Sequence, residues 1–181
     1  AYARAVFDFW GCDAVTVNPY MGYDSISPFV EYRDRGVFIL CRTSNAGALD
    51  FQSLEIKSPG TGNRLYEVVA RKAEEWNRYG NIGLVIGATY PDELRLIRSS
   101  HPNMILLVPG IGAQGGDLEK VVVNGIDAGM SGIIINSSRQ VLYASRGGDF
   151  AVAARSAALE LREQINNCRR QAGNMPQGES R

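Results

Sequence analysis

Five apolar segments with no polar face constrain this chain more than any other feature. DAVTVN (13–18), GVFILC (36–41), NIGLVIGAT (81–89), MILLVPG (104–110) and SGIIIN (131–136) are apolar almost throughout instead of alternating. Strands of that kind are covered on both faces, which is the habit of parallel sheets flanked by helices. Between and after them lie segments that read as helices: ISPFVEYRDRG (26–36), LYEVVARKAEEWNRYG (65–80), PDELRLIRSS (91–100), DLEKVVVNGIDAG (117–129) and DFAVAARSAALELREQINNCRR (149–170). The order is βα repeated five times, which predicts an α/β fold.

AYARAVFDFW (1–10) carries helical spacing without an N-cap or a preceding turn, so the chain is expected to start inside a helix. An eight-unit β/α (TIM) barrel takes roughly 250 residues, whereas 181 are present here. The expectation is five C-terminal βα units of such a barrel, with about three N-terminal units missing. Residues 1–170 form one partial barrel domain in this reading, and the polar tail 171–181 is expected to be disordered. Such a piece exposes two strand edges, so it is not expected to be stable as a lone monomer.

Acidic and basic residues balance at a net charge of zero. No broad positive field is present to hold nucleic acid or an anionic membrane. No run is long enough to span a bilayer. Cys12, Cys41 and Cys168 are odd in number, and the first two lie in or beside apolar strands. That pattern predicts buried or free thiols in a reduced, cytoplasmic protein.

Two loops carry the chemical signal. Val108-Pro109-Gly110-Ile111-Gly112-Ala113-Gln114-Gly115-Gly116-Asp117 follows one strand and Asn136-Ser137-Ser138-Arg139 follows the next. Glycines let backbone N–H groups approach an anion, Gln114 adds amide donors, and Arg139 offers a planar fork matched to phosphate. In a β/α barrel the loops after the last two strands are the usual phosphate grip. Gly110-x-Gly112-x-x-Gly115 also matches a dinucleotide fingerprint, but the end of the next strand lacks the acidic residue that would bind a ribose. A ligand-free glycine turn is the plainer alternative. Arg42 and Ser44 follow the second strand in the same topological position, from which side chain or backbone can face the same mouth. His101, before Pro102, reads as a surface turn residue at the opposite end, and Asp13 as part of the stability face.

The segments TVNPYMG (16–22), CRTSNAG (41–47), VPGIGAQGGD (108–117) and NSSRQVLYA (136–144), in this order and spacing, resemble the orotidine 5'-phosphate decarboxylase family, in its bacterial branch. The resemblance covers residues 1 to about 170. It implies a homodimer of barrels that converts orotidine 5'-monophosphate to UMP in pyrimidine biosynthesis with no metal or organic cofactor. It also implies that Gln114 and Arg139 hold the 5'-phosphate, helped by the backbone at Gly112 and Ser138. Ser44 would bond the pyrimidine ring, with Leu40, Pro109 and Ile111 around the base, and the loop from Gly110 to Asp117 would close over the substrate.

Family members carry out the chemistry with an Asp-Lys-Asp-Lys array that is absent here, so no catalytic residue is assigned in this chain. Its only lysines, Lys57, Lys72 and Lys120, stand on no strand end. The chain alone is expected to be inactive. Two other readings stay open: a partial barrel that binds phosphate or a partner without catalysis, and another phosphate-dependent barrel lyase or isomerase.

Overall fold

The computed structural model describes residues 1–56, 64–112 and 116–174. Five strands form one parallel sheet in sequential order: β1 (Ala14–Val17), β2 (Gly36–Arg42), β3 (Ile82–Ile86), β4 (Ile105–Pro109) and β5 (Ile133–Asn136). The α/β class and all five strands follow the apolar runs. Each strand is trimmed by one to three residues where a turn takes over, save β2, which continues one residue further to Arg42.

The helices gather on one face. Val37, Ile39 and Cys41 of β2 and Leu84 and Ile86 of β3 pack with Ile26 and Val30 of α2 (Tyr23–Val30) and with Tyr66, Ala70 and Ala73 of α3 (Leu65–Trp76). The same core takes in α4 (Pro91–Ser100), α5 (Leu118–Gly125) and α7 (Phe150–Asn174) through Leu94, Ile97, Val121 and Leu161. Each large aliphatic side chain fully buried there contributes about 1.5–3 kcal/mol. The opposite face is more open than apolar strands predict. Thr16, Phe38, Gly83 and Ile105 share one register row and Leu40, Val85, Leu107 and Ile134 the next. Ile105 is 41% exposed and Ile134 47%.

Local chemistry moves several expected boundaries. The helix expected over 26–36 is Tyr23–Val30, because Gly22 turns the chain at φ 87° and Asp24 sits in the first turn, while 31–35 form a turn. Helix α3 stops at Trp76, not Gly80. There Asn77 leaves the helix and its side-chain oxygen accepts the Ile82 N–H at 2.9 Å, which ties the turn to β3. The expected first helix is α1 (Tyr2–Arg4) followed by a π-helical turn, Ala5–Phe9. Helix α5 ends at Gly125, because Asp127 starts a tight turn by accepting the N–H groups of Gly129 and Ser131 at 2.8 and 3.0 Å. Helix α7 runs to Asn174, so 171–174 are helical and not tail, and residues 175–181 lie outside the described part. A short helix absent from the sequence reading, α6 (Arg139–Leu142), follows β5.

Arg98 knits the lower end of this sheet. It is buried, and its guanidinium donates to the carbonyls of Gly125 (2.8 Å), Pro102 (2.9 Å), Met104 (2.8 Å) and Gly132 (2.9 Å). One side chain thus joins the end of α5, the start of β4 and the start of β5. His101 corrects the surface-turn expectation: it is 7% exposed, and its Nδ1 lies 2.7 Å from Glu74 Oε2 on α3. A carboxylate partner makes burial of an imidazole tolerable. Asp13, before β1, pairs with Arg35 at 3.2 Å, in keeping with a structural role.

Candidate functional site at the strand ends

Because every strand runs the same way, the segments after Val17, Arg42, Ile86, Pro109 and Asn136 lie along one edge of the sheet. That edge is where α/β folds place ligands.

Two consecutive residues at the end of β2 divide their roles. A register irregularity between Leu40 and Arg42 turns Arg42 towards the helices, beside Cys41. Arg42 is 1% exposed, pairs through Nε with Glu93 Oε2, and stacks its guanidinium 3.8 Å above the Tyr90 ring. Its side chain therefore supports the edge from behind and does not face the mouth. Ser44 does lie at the edge. Its Oγ is buried without a hydrogen-bond partner, and a Cβ built on Gly87 would fall 2.1 Å from it. Only a glycine after β3 leaves that space. Thr89 Oγ1, two residues further on, is a second buried hydroxyl without a partner. An unmet buried hydroxyl costs about 1–3 kcal/mol, so two at one edge are groups that a polar ligand or an ordered water can complete.

Leu40 lines a cleft of about 820 Å³ at this end, together with Asn18, Thr43, Phe51, Gln52 and Tyr66. Burial pushes the Tyr66 phenol up to about 12 and raises the Cys41 thiol. Both groups stay neutral near pH 7, and the Cys41 thiol donates to the Tyr66 carbonyl at 3.1 Å. Neither is poised as a nucleophile.

The loops after β4 and β5 meet. Pro109 pairs in register with Asn136, and the Ala88 N–H donates to the Pro109 carbonyl at 2.9 Å. Gly110 and Gly112 take φ values of 105° and 77°, and a bridge between Ile111 and Gly116 closes the base of the loop. A Cβ on Gly112 would stand 2.6 Å from Gln140 Oε1, so this glycine lets the first loop settle against the second. Ser137 donates to the same Gln140 oxygen at 3.2 Å, and Ser138 to Asn136 at 3.2 Å. Arg139 follows directly, exposed, with no ion pair among the described residues. Ile111 is 6% exposed and belongs to the core cluster, where it anchors the loop. Gln114 lies outside the described residues. Asp117 caps α5 by accepting the Lys120 N–H at 3.1 Å, which holds its carboxyl below the usual range.

Sequence reasoning missed Gly87, Thr89, Gln52 and Gln140. A glycine just past an apolar strand is the one signal that pointed to Gly87. The other three reveal themselves only through partners distant in sequence or through burial.

A family profile described as Orotidine 5'-phosphate decarboxylase / HUMPS family matches residues 1–155. A Dehalococcoides mccartyi protein named orotidine 5'-phosphate decarboxylase is 55% identical over 170 residues, covering 94% of this chain and 63% of that protein. A protein of the same name from Aromatoleum aromaticum is 53% identical over 169 residues, covering 93% and 61%. Among solved structures, Leishmania donovani OMP decarboxylase superposes with a TM-score of 0.79 at 43% identity, covering 93% of this chain and 62% of the other. Leishmania donovani UMP synthase gives 0.81 at 45%, covering 93% and 36%. The chain thus spans less than two thirds of the length of the curated relatives it matches. On the matching profile and these identities, the chain belongs to the orotidine 5'-phosphate decarboxylase / HUMPS family.

Proposed function

We propose that this chain is the phosphate- and pyrimidine-gripping part of an enzyme that decarboxylates orotidine 5'-monophosphate to UMP. The observation that carries the reading is the seating of Gly112 against Gln140, which joins both glycine- and serine-bearing loops beside Arg139. In this reading Arg139, the backbone at Gly112 and Ser138, and Gln114 hold the 5'-phosphate. Ser44 bonds the pyrimidine ring, while Leu40, Pro109 and Ile111 wall the base. Phosphate bound far from the reacting carboxylate supplies energy to close the Gly110–Asp117 loop and to offset desolvation at that carboxylate.

The five βα units are a sector of an eight-stranded barrel, and the open face bearing Phe38, Ile105 and Ile134 is part of its filled interior. The carbanion left when CO₂ departs needs an ammonium group for stabilisation and for its proton. Lys72 and Lys120 are helical residues and serve no strand end. By the family resemblance, the reacting Asp and Lys belong to the part of the family's length that this sequence does not span. The working form is a homodimer; Tyr20, Met21 and Phe51, all largely exposed beside the 820 Å³ cleft, are a surface suited to a second copy. Three free cysteines favour a reducing, cytoplasmic setting.

The test is loss of orotidine monophosphate absorbance with the full-length protein, followed by UMP titration of the 181-residue chain in isolation. Turnover by the former, and nucleotide binding without turnover by the latter, is expected. Turnover by the isolated chain overturns the assignment of the chemistry to residues outside it, and no turnover by the full-length protein overturns the activity.

A further inference from the structure

Thr43 and Ser44 are neighbours with opposite hydrogen-bond accounts. Every polar group of Thr43 is engaged: its N–H donates to Gln52 Oε1 at 2.8 Å, and its carbonyl accepts from Arg42 Nη1 at 3.3 Å. Its hydroxyl accepts from Gln52 Nε2 at 2.9 Å and donates to Asn45 Oδ1 at 2.6 Å. Gln52 thus grips Thr43 through both ends of its amide, and Arg42 Nη1 approaches the same Gln52 oxygen at 3.4 Å. Arg42 cannot swing, because Glu93 holds one side of its guanidinium and Tyr90 covers its face. Ser44 has only its position: a buried hydroxyl against Gly87 with no partner.

We infer that Gln52 is a positioning residue that fixes the Thr43-Ser44 turn and so aims the Ser44 hydroxyl at the pyrimidine ring of a bound nucleotide. The inference rests on the functional reading above and goes beyond it by assigning the ring's recognition to a residue that need not touch it. A hydroxyl held in place before binding loses less freedom when the ligand arrives. The reach of Gln52 is confined to the base, because the phosphate loops belong to β4 and β5 and share no hydrogen bond with it among the described residues.

The experiment titrates UMP and ribose 5-phosphate, which lacks the base, into the full-length protein and its variants. Gln52→Met keeps the side-chain length and removes both polar ends. It should weaken UMP about tenfold, which corresponds to about 1.4 kcal/mol, and leave ribose 5-phosphate unchanged. Gln52→Glu keeps an acceptor for the Thr43 N–H and should recover most of the loss. Ser44→Ala should match Gln52→Met, and the double variant should be no weaker than Ser44→Ala alone, because Gln52 acts through Ser44. Should Gln52→Met fail to fold, Thr43→Val carries the same prediction by removing the hydroxyl that Gln52 grips. Unchanged UMP affinity, an equal loss for both ligands, or additive losses in the double variant overturns the positioning role while the phosphate site stands. A wild-type protein that binds neither ligand overturns the functional reading and this inference together.

Discussion

The two halves of the strand-end edge are built on different plans. At the end of β2, Arg42, Glu93, Tyr90, Gln52 and Thr43 bond one another, and next to them stands a single buried hydroxyl without a partner, that of Ser44. At the ends of β4 and β5, two loops touch through Gly112 and Gln140, and the charged group beside them, Arg139, stands exposed. The first plan puts its polar interactions into rigidity, which under the proposed function serves recognition of a flat ring. The second leaves a cation exposed beside two loops, which under the proposed function awaits an anion to complete it. Damage to the first should therefore appear as instability or as weaker recognition of the ring, and damage to the second as lost phosphate binding with stability kept.

The largest effect is expected for Arg42→Met, which leaves Glu93 without its buried partner. Because Arg64 still pairs with the other Glu93 oxygen at 3.3 Å, the loss of unfolding stability should be about 3 kcal/mol, the low end for a broken buried pair, read as a shift of the urea midpoint. A loss below 1 kcal/mol would mean that the network behind β2 is no lock, and the contrast between the halves would fail. Gly87→Ala should cost about 1–3 kcal/mol by overpacking, because its Cβ would fall on Ser44 Oγ. It should also weaken UMP binding, since Ser44 must move. Unaltered stability together with unaltered UMP affinity would show that Ser44 does not need the space over Gly87.

A smaller, pH-dependent effect belongs to the turn before β5, at the other end of that strand from Arg139. Backbone N–H groups from Ser131 and Gly129 hold the Asp127 carboxyl below its ordinary value. A carboxyl with a lowered folded pKa contributes stability above its unfolded value, about 3.9, and loses it as the pH falls through the folded pKa. Melting temperatures taken from about pH 6 down to about pH 3 should fall less steeply in Asp127→Asn than in the parent. Parallel slopes would remove Asp127 from the account. The smallest stability change is expected for Arg139→Met, within about 0.5 kcal/mol, because Arg139 is exposed and has no ion partner among the described residues.

How much of this was legible beforehand follows from the range of each interaction. The strands announced themselves because a buried strand must be apolar along its length, and Ile82–Ile86 has no other way to read. Helix α4 came out with the expected bounds, since Pro91 opens it and the apolar stripe ends by Ser100. The early stop of α3 rests on an Asn77 side chain that reaches Ile82, which no periodicity records. His101 looked like a turn residue because Pro102 follows it, yet Glu74, 27 residues earlier, makes it part of the interior. Ser44, Gly112, Ser138 and Arg139 were legible as residue types in loops, and the structure places all four after strand ends on one edge of the sheet, which is as far as the sequence reading of them is matched. The inward turn of Arg42 was not legible because the irregularity in β2 that causes it is a tertiary event. Gln52 gave no signal of its own, since its role exists only through Thr43.

The central claim is that the joined loops and Arg139 bind the phosphate of a nucleotide. The most direct measurement is the ratio of UMP to uridine affinity in the full-length protein and in Arg139→Met, by calorimetric titration. A charge-assisted contact of about 1.5–3 kcal/mol predicts that the ratio falls at least tenfold in the variant while uridine binding stays the same. A ratio that survives the substitution would contradict the claim and place the phosphate elsewhere.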